Sequence, residues 1–302
     1  MNKNFGRTRA AVVFACAAAV YPLSPGVVAG ERTAPPLAEI LAALETLDEG
    51  DIPVDSSTTE GKTPLYVATY GNDANSGFDI DSPKQHLRSA IQYANAHPDT
   101  PYVIYLRGGT HYDSAAYDYL EIQRGNLYIT AYPGEEAVLR PHFWPDTPTD
   151  WGEAHYFVSS GPYEKITIAN LILQGFDEPF FFGSQYEEGP IRNLVIKNIV
   201  ATDFRKRFEN WGPVFFSTDY VARNYFSGPD EFDPDDPGIN YQIEGLILSD
   251  IVIEEAGLAV NIGDERDANV HGLRISGLEL RNPPPGGNNT SFDGIAVVNS
   301  YK

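Results

Sequence analysis

The chain has 302 residues, with 42 Asp+Glu against 21 Lys+Arg and a formal net charge of −21. That acidity weighs against a nucleic-acid partner, whose phosphates would be repelled. The single cysteine, Cys16, rules out a disulfide framework, and six dispersed histidines with no ligand-like spacing give no indication of a zinc enzyme.

Residues 1–29 read as an export signal. Lys3, Arg7 and Arg9 form a basic start, AAVVFACAAAV (10–20) is an apolar core too short to span a bilayer, and Val27-Val28-Ala29 offers small residues for cleavage. Acylation at Cys16 fits less well, because Phe14 stands just upstream and the apolar run continues past the cysteine. The expected protein is secreted or periplasmic, with no transmembrane segment. Losing the signal removes three basic residues and no acidic ones, so the mature chain is more negative still.

In residues 30–63, Leu37, Ile40, Leu41, Leu44 and Leu47 share one face of a short amphipathic helix that ends at Gly50. DIPVDSSTTEGKT (51–63) is polar and aperiodic and reads as a linker. The folded domain is expected over 64–302.

That domain opens with a first strand LYVAT (65–69), a Gly-Asn-Asp-x-Asn-Ser-Gly turn (71–77), Ser82-Pro83 before a helix, and the strand YVIYLRGGTHYD (102–113). NLYITAYPGEEAVLRP (126–141) follows. These pieces resemble the opening segment of secreted right-handed parallel β-helix proteins of the pectate-lyase-like superfamily. The resemblance implies an all-β parallel solenoid, with carbohydrate as the substrate class. Leu87, Ala90, Ile91 and Ala94 recur at helical spacing, so this short helix is expected to cap the open N-terminal end.

The rest of the chain repeats itself. EKITIANLILQGF (164–176), IRNLVIKNIVATDF (191–204), IEGLILSDIVIEEAG (243–257) and VHGLRISGLELRN (270–282) alternate with shorter apolar strands that include PFFFGS (179–184) and PVFFST (213–218). Ile166 and Ile168, Leu194 and Ile196, Leu246 and Leu248, and Leu273 and Ile275 should face a common interior. Asn170, Asn198, Asp250 and Gly277 form one column at a turn and read as structural, because Asn, Asp and Gly tolerate left-handed backbone. The last phrase, GIAVVNSYK, has no closing cap, so the domain is expected to be incomplete at its C-terminus or covered by a partner.

Aligning the short strands on Pro179, Pro213, Gly257 and Gly294 turns Phe181, Phe215, Ala259 and Ala296 outward, with Tyr186 and Tyr220 just beyond. With Trp211 and Arg266 these aromatics would suit stacking on sugar rings; the competing reading is a second apolar layer under loops. Lys206, flanked by Arg205 and Arg207, offers a base and two cationic clamps for β-elimination next to a uronate carboxylate, or simply pairs with Asp203 and Glu209. Lys197 and Arg274 are further outward cations. Asp219 and Asp264 fall in neighbouring columns, compatible with the roughly 5 to 10 Å that a glycoside hydrolase needs. Asp230, Asp233, Asp235 and Asp236 crowd one insertion and are either Ca²⁺ ligands or a solvated acidic loop. The sequence therefore leaves three functions open, namely a polysaccharide lyase, which is preferred, a glycoside hydrolase, and a noncatalytic glycan- or surface-binding protein.

Overall fold

A chain whose apolar residues alternate, with Leu, Ile and Phe prominent at the inward positions, can bury one side of each strand only by stacking strands. The computed structural model describes residues 53–113, 120–141, 155–159, 161–176, 178–182, 190–204, 214–218, 243–254, 258–262, 270–281 and 295–297. The expected signal segment and amphipathic helix lie outside them.

The strands are β1 (Thr63–Val67), β2 (Tyr102–Leu106), β3 (Gly109–Asp113), β4 (Leu120–Glu121), β5 (Leu127–Ala131), β6 (Ala137–Pro141), β7 (His155–Ser159) and β8 (Glu164–Gln174). They continue with β9 (Glu178–Phe182), β10 (Ile191–Thr202), β11 (Val214–Thr218), β12 (Ile243–Glu254), β13 (Leu258–Ile262), β14 (Val270–Arg281) and β15 (Ile295–Val297). One sheet runs β1-β2-β5-β8-β10-β12-β14, with β3 and β6 joined beside it; the second runs β4-β7-β9-β11-β13-β15. All the pairings are parallel, and from β7 onward the chain visits the two sheets alternately. The protein is mostly β, with large parallel sheets and, among the described residues, a single helix, α1 (Leu87–Asn95).

Register follows the repeats. Ile166 pairs with Leu194 and Leu194 with Leu246, and one row on, Ile168, Ile196 and Leu248 do the same; all six are fully buried. Their partners on the outermost long strand, Leu273 and Ile275, are half-buried against the same core. The 11- and 12-residue strands β8, β10, β12 and β14 turn a corner midway, where Asn170, Asn198, Asp250 and Gly277 all have positive φ. The Asn170 amide donates to Thr130 Oγ1 at 2.8 Å, and the Asn198 amide donates to Asn170 Oδ1 at 2.7 Å. At the next level a Cβ on Gly277 would sit 2.8 Å from Asp250 Oδ1, so only glycine closes the column there. A second left-handed column, Asn126, Lys165, Asn193, Gly245 and Gly272, marks the start of each straight run.

Helix α1 buries Leu87, Ala90, Ile91 and Ala94 over the first strands, as the spacing predicts. The Asn95 side chain extends this cover by imitating a strand edge, its Nδ2 donating to the Glu121 carbonyl at 2.9 Å and its Oδ1 accepting the Gln123 N–H at 3.1 Å.

The second sheet departs from expectation in register. Phe180 pairs with Phe216 rather than Val214, and Phe181 pairs with Ser217 rather than Phe215. Likewise Ile295 sits beside Val260, not Leu258, although Val214 and Leu258 do pair. A two-residue slip keeps every side chain on the same side of the sheet, so an apolar pattern of period two cannot distinguish the alternatives.

Candidate functional site

Of the residues that sequence singles out for chemistry, Arg205, Lys206, Arg207, Asp219 and Asp264 lie outside the described residues. So do Tyr186, Trp211, Tyr220 and Arg266, and the acidic set Asp230, Asp233, Asp235 and Asp236. Among the described residues no three His, Cys, Asp or Glu side chains gather where they could hold a metal ion.

Phe215 is a correction. Expected to face outward for stacking, it is fully buried and packs edge-on against Phe180 at 5.0 Å between ring centroids. It joins an aromatic core in which Phe157 stacks on Phe180 at 5.5 Å and Phe182 on Phe216 at 6.2 Å. Burying a phenyl ring outweighs leaving it open by about 2 kcal/mol, so the ring goes where packing can take it. Phe181 stays half-buried, between Val158 and Ser217 on the neighbouring strands.

The described end of β10 shows what precedes the basic cluster. Arg140 Nε donates to Gln174 Oε1 at 2.7 Å, and the Gln174 amide donates to Asp203, which also accepts from Thr202 Oγ1 at 3.4 Å. Asp203, the partner expected for Arg205–Arg207, is thus engaged by two neutral donors from β8 and β10. Its left-handed backbone turns the chain out of the sheet directly before the cluster.

The best-formed surface is one that sequence reading missed. Tyr66 on β1 pairs with Tyr105 on β2, and both rings stand on the outer face of the first sheet, stacked at 5.8 Å with 22° between planes. Tyr132, just after β5, closes the cluster at 5.7 Å from Tyr105 and 6.2 Å from Tyr66. Arg107 lies over the Tyr132 ring at 5.0 Å and is gripped by Glu135, its Nε donating to the two carboxylate oxygens at 2.8 and 2.9 Å. A further guanidinium nitrogen reaches the hydroxyl of Tyr70, which is 67% exposed.

The electrostatics of this patch are balanced. Hydrogen bonds from Arg107, with support from the Gly108 N–H, hold the Glu135 carboxyl below the usual carboxylate range. Burial, then the neighbouring phenols of Tyr132 and Tyr105, push the Tyr66 hydroxyl up, so it stays protonated at neutral pH. What results is a half-exposed platform of three rings with a fixed, neutralised guanidinium at its rim. Aromatic faces, phenolic hydroxyls and a planar donor are what a sugar ring needs for stacking and hydrogen bonding. Tyr66, Tyr105 and Tyr132 each read as an ordinary residue in or beside a strand; only the order β1-β2-β5 brings them together.

Lys197 and Arg274 both face outward, as expected. The Lys197 ammonium, however, is not open: it donates to Asp55 Oδ2 and to Ser57 Oγ, each at 2.7 Å.

No family model matches this chain, and no curated protein matches it. Three solved structures are similar to it. A rhamnogalacturonan lyase aligns over 76% of this chain and 64% of its own, at 10% identity and a TM-score of 0.37. The GH136 lacto-N-biosidase from Eubacterium ramulus aligns over 67% of this chain and 43% of its own, at 14% identity and a TM-score of 0.34. A 1,3-alpha-1,4-beta-D-galactose-4-sulfate-3,6-anhydro-D-galactose-2-sulfate 4 galactohydrolase aligns over 70% and 56%, at 10% identity and a TM-score of 0.31. All three names belong to enzymes acting on carbohydrate, and the chain spans less than two thirds of the length of each. No helix among the described residues is long and apolar enough to cross a membrane.

Proposed function

We propose that this chain is a secreted right-handed parallel β-helix protein that acts on a polysaccharide, and that its reaction is β-elimination from a uronate-containing chain. The observation that carries the carbohydrate reading is the Tyr66–Tyr105–Tyr132 platform with Arg107 at its rim. Two interleaved parallel sheets with left-handed corner columns support the β-helix reading.

The reaction rests on the basic cluster. Lys206, in its neutral form, removes the proton beside the uronate carboxylate; that C–H electron pair becomes the new C=C bond, and the glycosidic C–O bond breaks with its pair on the oxygen, which takes a proton from water. Arg205 and Arg207 stabilise the negative charge that builds on the carboxylate. Ca²⁺ held by Asp230, Asp233, Asp235 and Asp236 would neutralise the acidic surface toward a polyanion.

The test is incubation of the purified protein, with Ca²⁺ and with chelator, against uronate-containing and neutral polysaccharides. New ultraviolet absorbance of an unsaturated uronate, lost in Lys206→Ala, is the expected result. Reducing ends without that absorbance would transfer the chemistry to Asp219 and Asp264 as a hydrolase pair. Retained glycan binding with neither product would make the protein a noncatalytic binder.

A further inference from the structure

The segment 53–62, polar and aperiodic in sequence, forms no strand of its own yet crosses the outer face of the first sheet. Its path is fixed at two points. Pro53 Cβ stands 3.7 Å from where a side chain on Gly245 of β12 would begin. Asp55 and Ser57 meet Lys197 of β10. Burial, and then the charges of Lys165 and Arg124, lower the affinity of Lys62 for a proton. The chain then enters β1, with the Thr63 N–H donating to the Pro101 carbonyl at 2.8 Å.

Thr167, Val195 and Ile247 form one row between the Gly245 and Lys197 columns. They point outward, yet all are nearly fully buried, as expected beneath a strap. The strap itself is open to solvent, with Val54 76% exposed. Its hold on Lys197 is an ion pair of partly exposed groups, a kind of contact worth little.

The groups under and beside the strap have a chemistry of their own. The Lys197 ammonium lies 5.9 Å from the Tyr128 ring centroid, and its row continues with Ser249 and Ser276 on the next two strands. Arg274 faces outward on the same sheet. An ammonium beside an aromatic ring, in a row with two hydroxyls, is a binding set for a carboxylate on a polyhydroxylated ring.

We propose that Lys197 anchors a carboxylate-binding site for an acidic saccharide on this face, and that residues 53–62 occupy it as a displaceable strap in which Asp55 stands in for the ligand's carboxylate. The choice of an acidic saccharide rests on the proposed uronate substrate; the masking of Lys197 by Asp55 does not.

The experiment uses the full chain. Binding of oligogalacturonate and of a neutral galacto-oligosaccharide is measured by calorimetry on the wild type, on Asp55→Asn/Ser57→Ala, and on that double variant carrying Lys197→Met as well, with circular dichroism to confirm the fold of each. Opening the strap should raise oligogalacturonate affinity about fivefold, the scale of one partly exposed ion pair. It should leave the neutral sugar unchanged, and Lys197→Met should abolish the gain. No gain in the folded double variant, a gain shared by the neutral sugar, or a gain that survives Lys197→Met would each overturn the proposal. A Lys197-dependent gain without any unsaturated product would uphold the strap and sink the elimination reading instead.

Discussion

Arg124 donates to the carbonyl oxygen of Ala94 at 2.8 Å and so ties the last turn of α1 to the chain entering β5. The same guanidinium reaches the carbonyls of His97, Pro98 and Thr100, its Nε serves Gly125, and the Tyr102 ring lies 5.0 Å away. Five backbone carbonyls thus accept from one fully buried cation, where a helix end would otherwise leave oxygens unsatisfied.

Removing that hub should loosen the N-terminal cover. Arg124→Ala is expected to cost about 3 kcal/mol, and Arg124→Lys nearly as much, because a single ammonium cannot reproduce the planar fork. Denaturant unfolding checks this; a loss within about 0.5 kcal/mol for both variants would be the scale of an ordinary surface change and would contradict it.

The corner column gives a graded set. Asn198→Ala loses the bond to Asn170 and strains a left-handed position, for an expected cost of about 2 kcal/mol. Asn198→Gly loses only the bond and should be milder by about 1 kcal/mol. Equal losses would show that backbone conformation does not matter at that corner.

His111 should make the fold acid-sensitive. It faces inward opposite Leu139, with Nε2 2.7 Å from the Arg107 carbonyl oxygen and Nδ1 buried with no hydrogen-bond partner among the described residues. Burial holds its proton affinity below the ordinary imidazole value. The unfolded chain therefore takes up a proton first, and stability drains away as pH falls below about 6.5. The melting-temperature difference between His111→Leu and the wild type should move in favour of the variant between roughly pH 7 and pH 5. A difference that stays constant would contradict the assignment.

Part of the fold, its long parallel strands, was legible in four similar phrases. Four long phrases became β8, β10, β12 and β14, and the turn column at Asn170, Asn198, Asp250 and Gly277 took the left-handed conformation that its residue types favour. Register of the short strands was not legible, since Phe180 satisfies the same in-out pattern opposite Val214 or Phe216. The strap was invisible for another reason: Asp55 finds its partner 142 positions away, and no local pattern encodes that contact. The tyrosine platform likewise exists only through pairing, whereas Phe181 and Phe215, adjacent in the assumed register, did not form an open aromatic face.

Whether the platform of Tyr66, Tyr105 and Tyr132 holds a glycan is decided by glycan binding to the intact protein and to Tyr66→Ala/Tyr105→Ala. Each ring contributes on the order of 1 kcal/mol of stacking, so the pair should cost about thirtyfold in affinity while the circular dichroism spectrum is unchanged. Undiminished binding by the folded double variant would show that the platform does not hold the glycan.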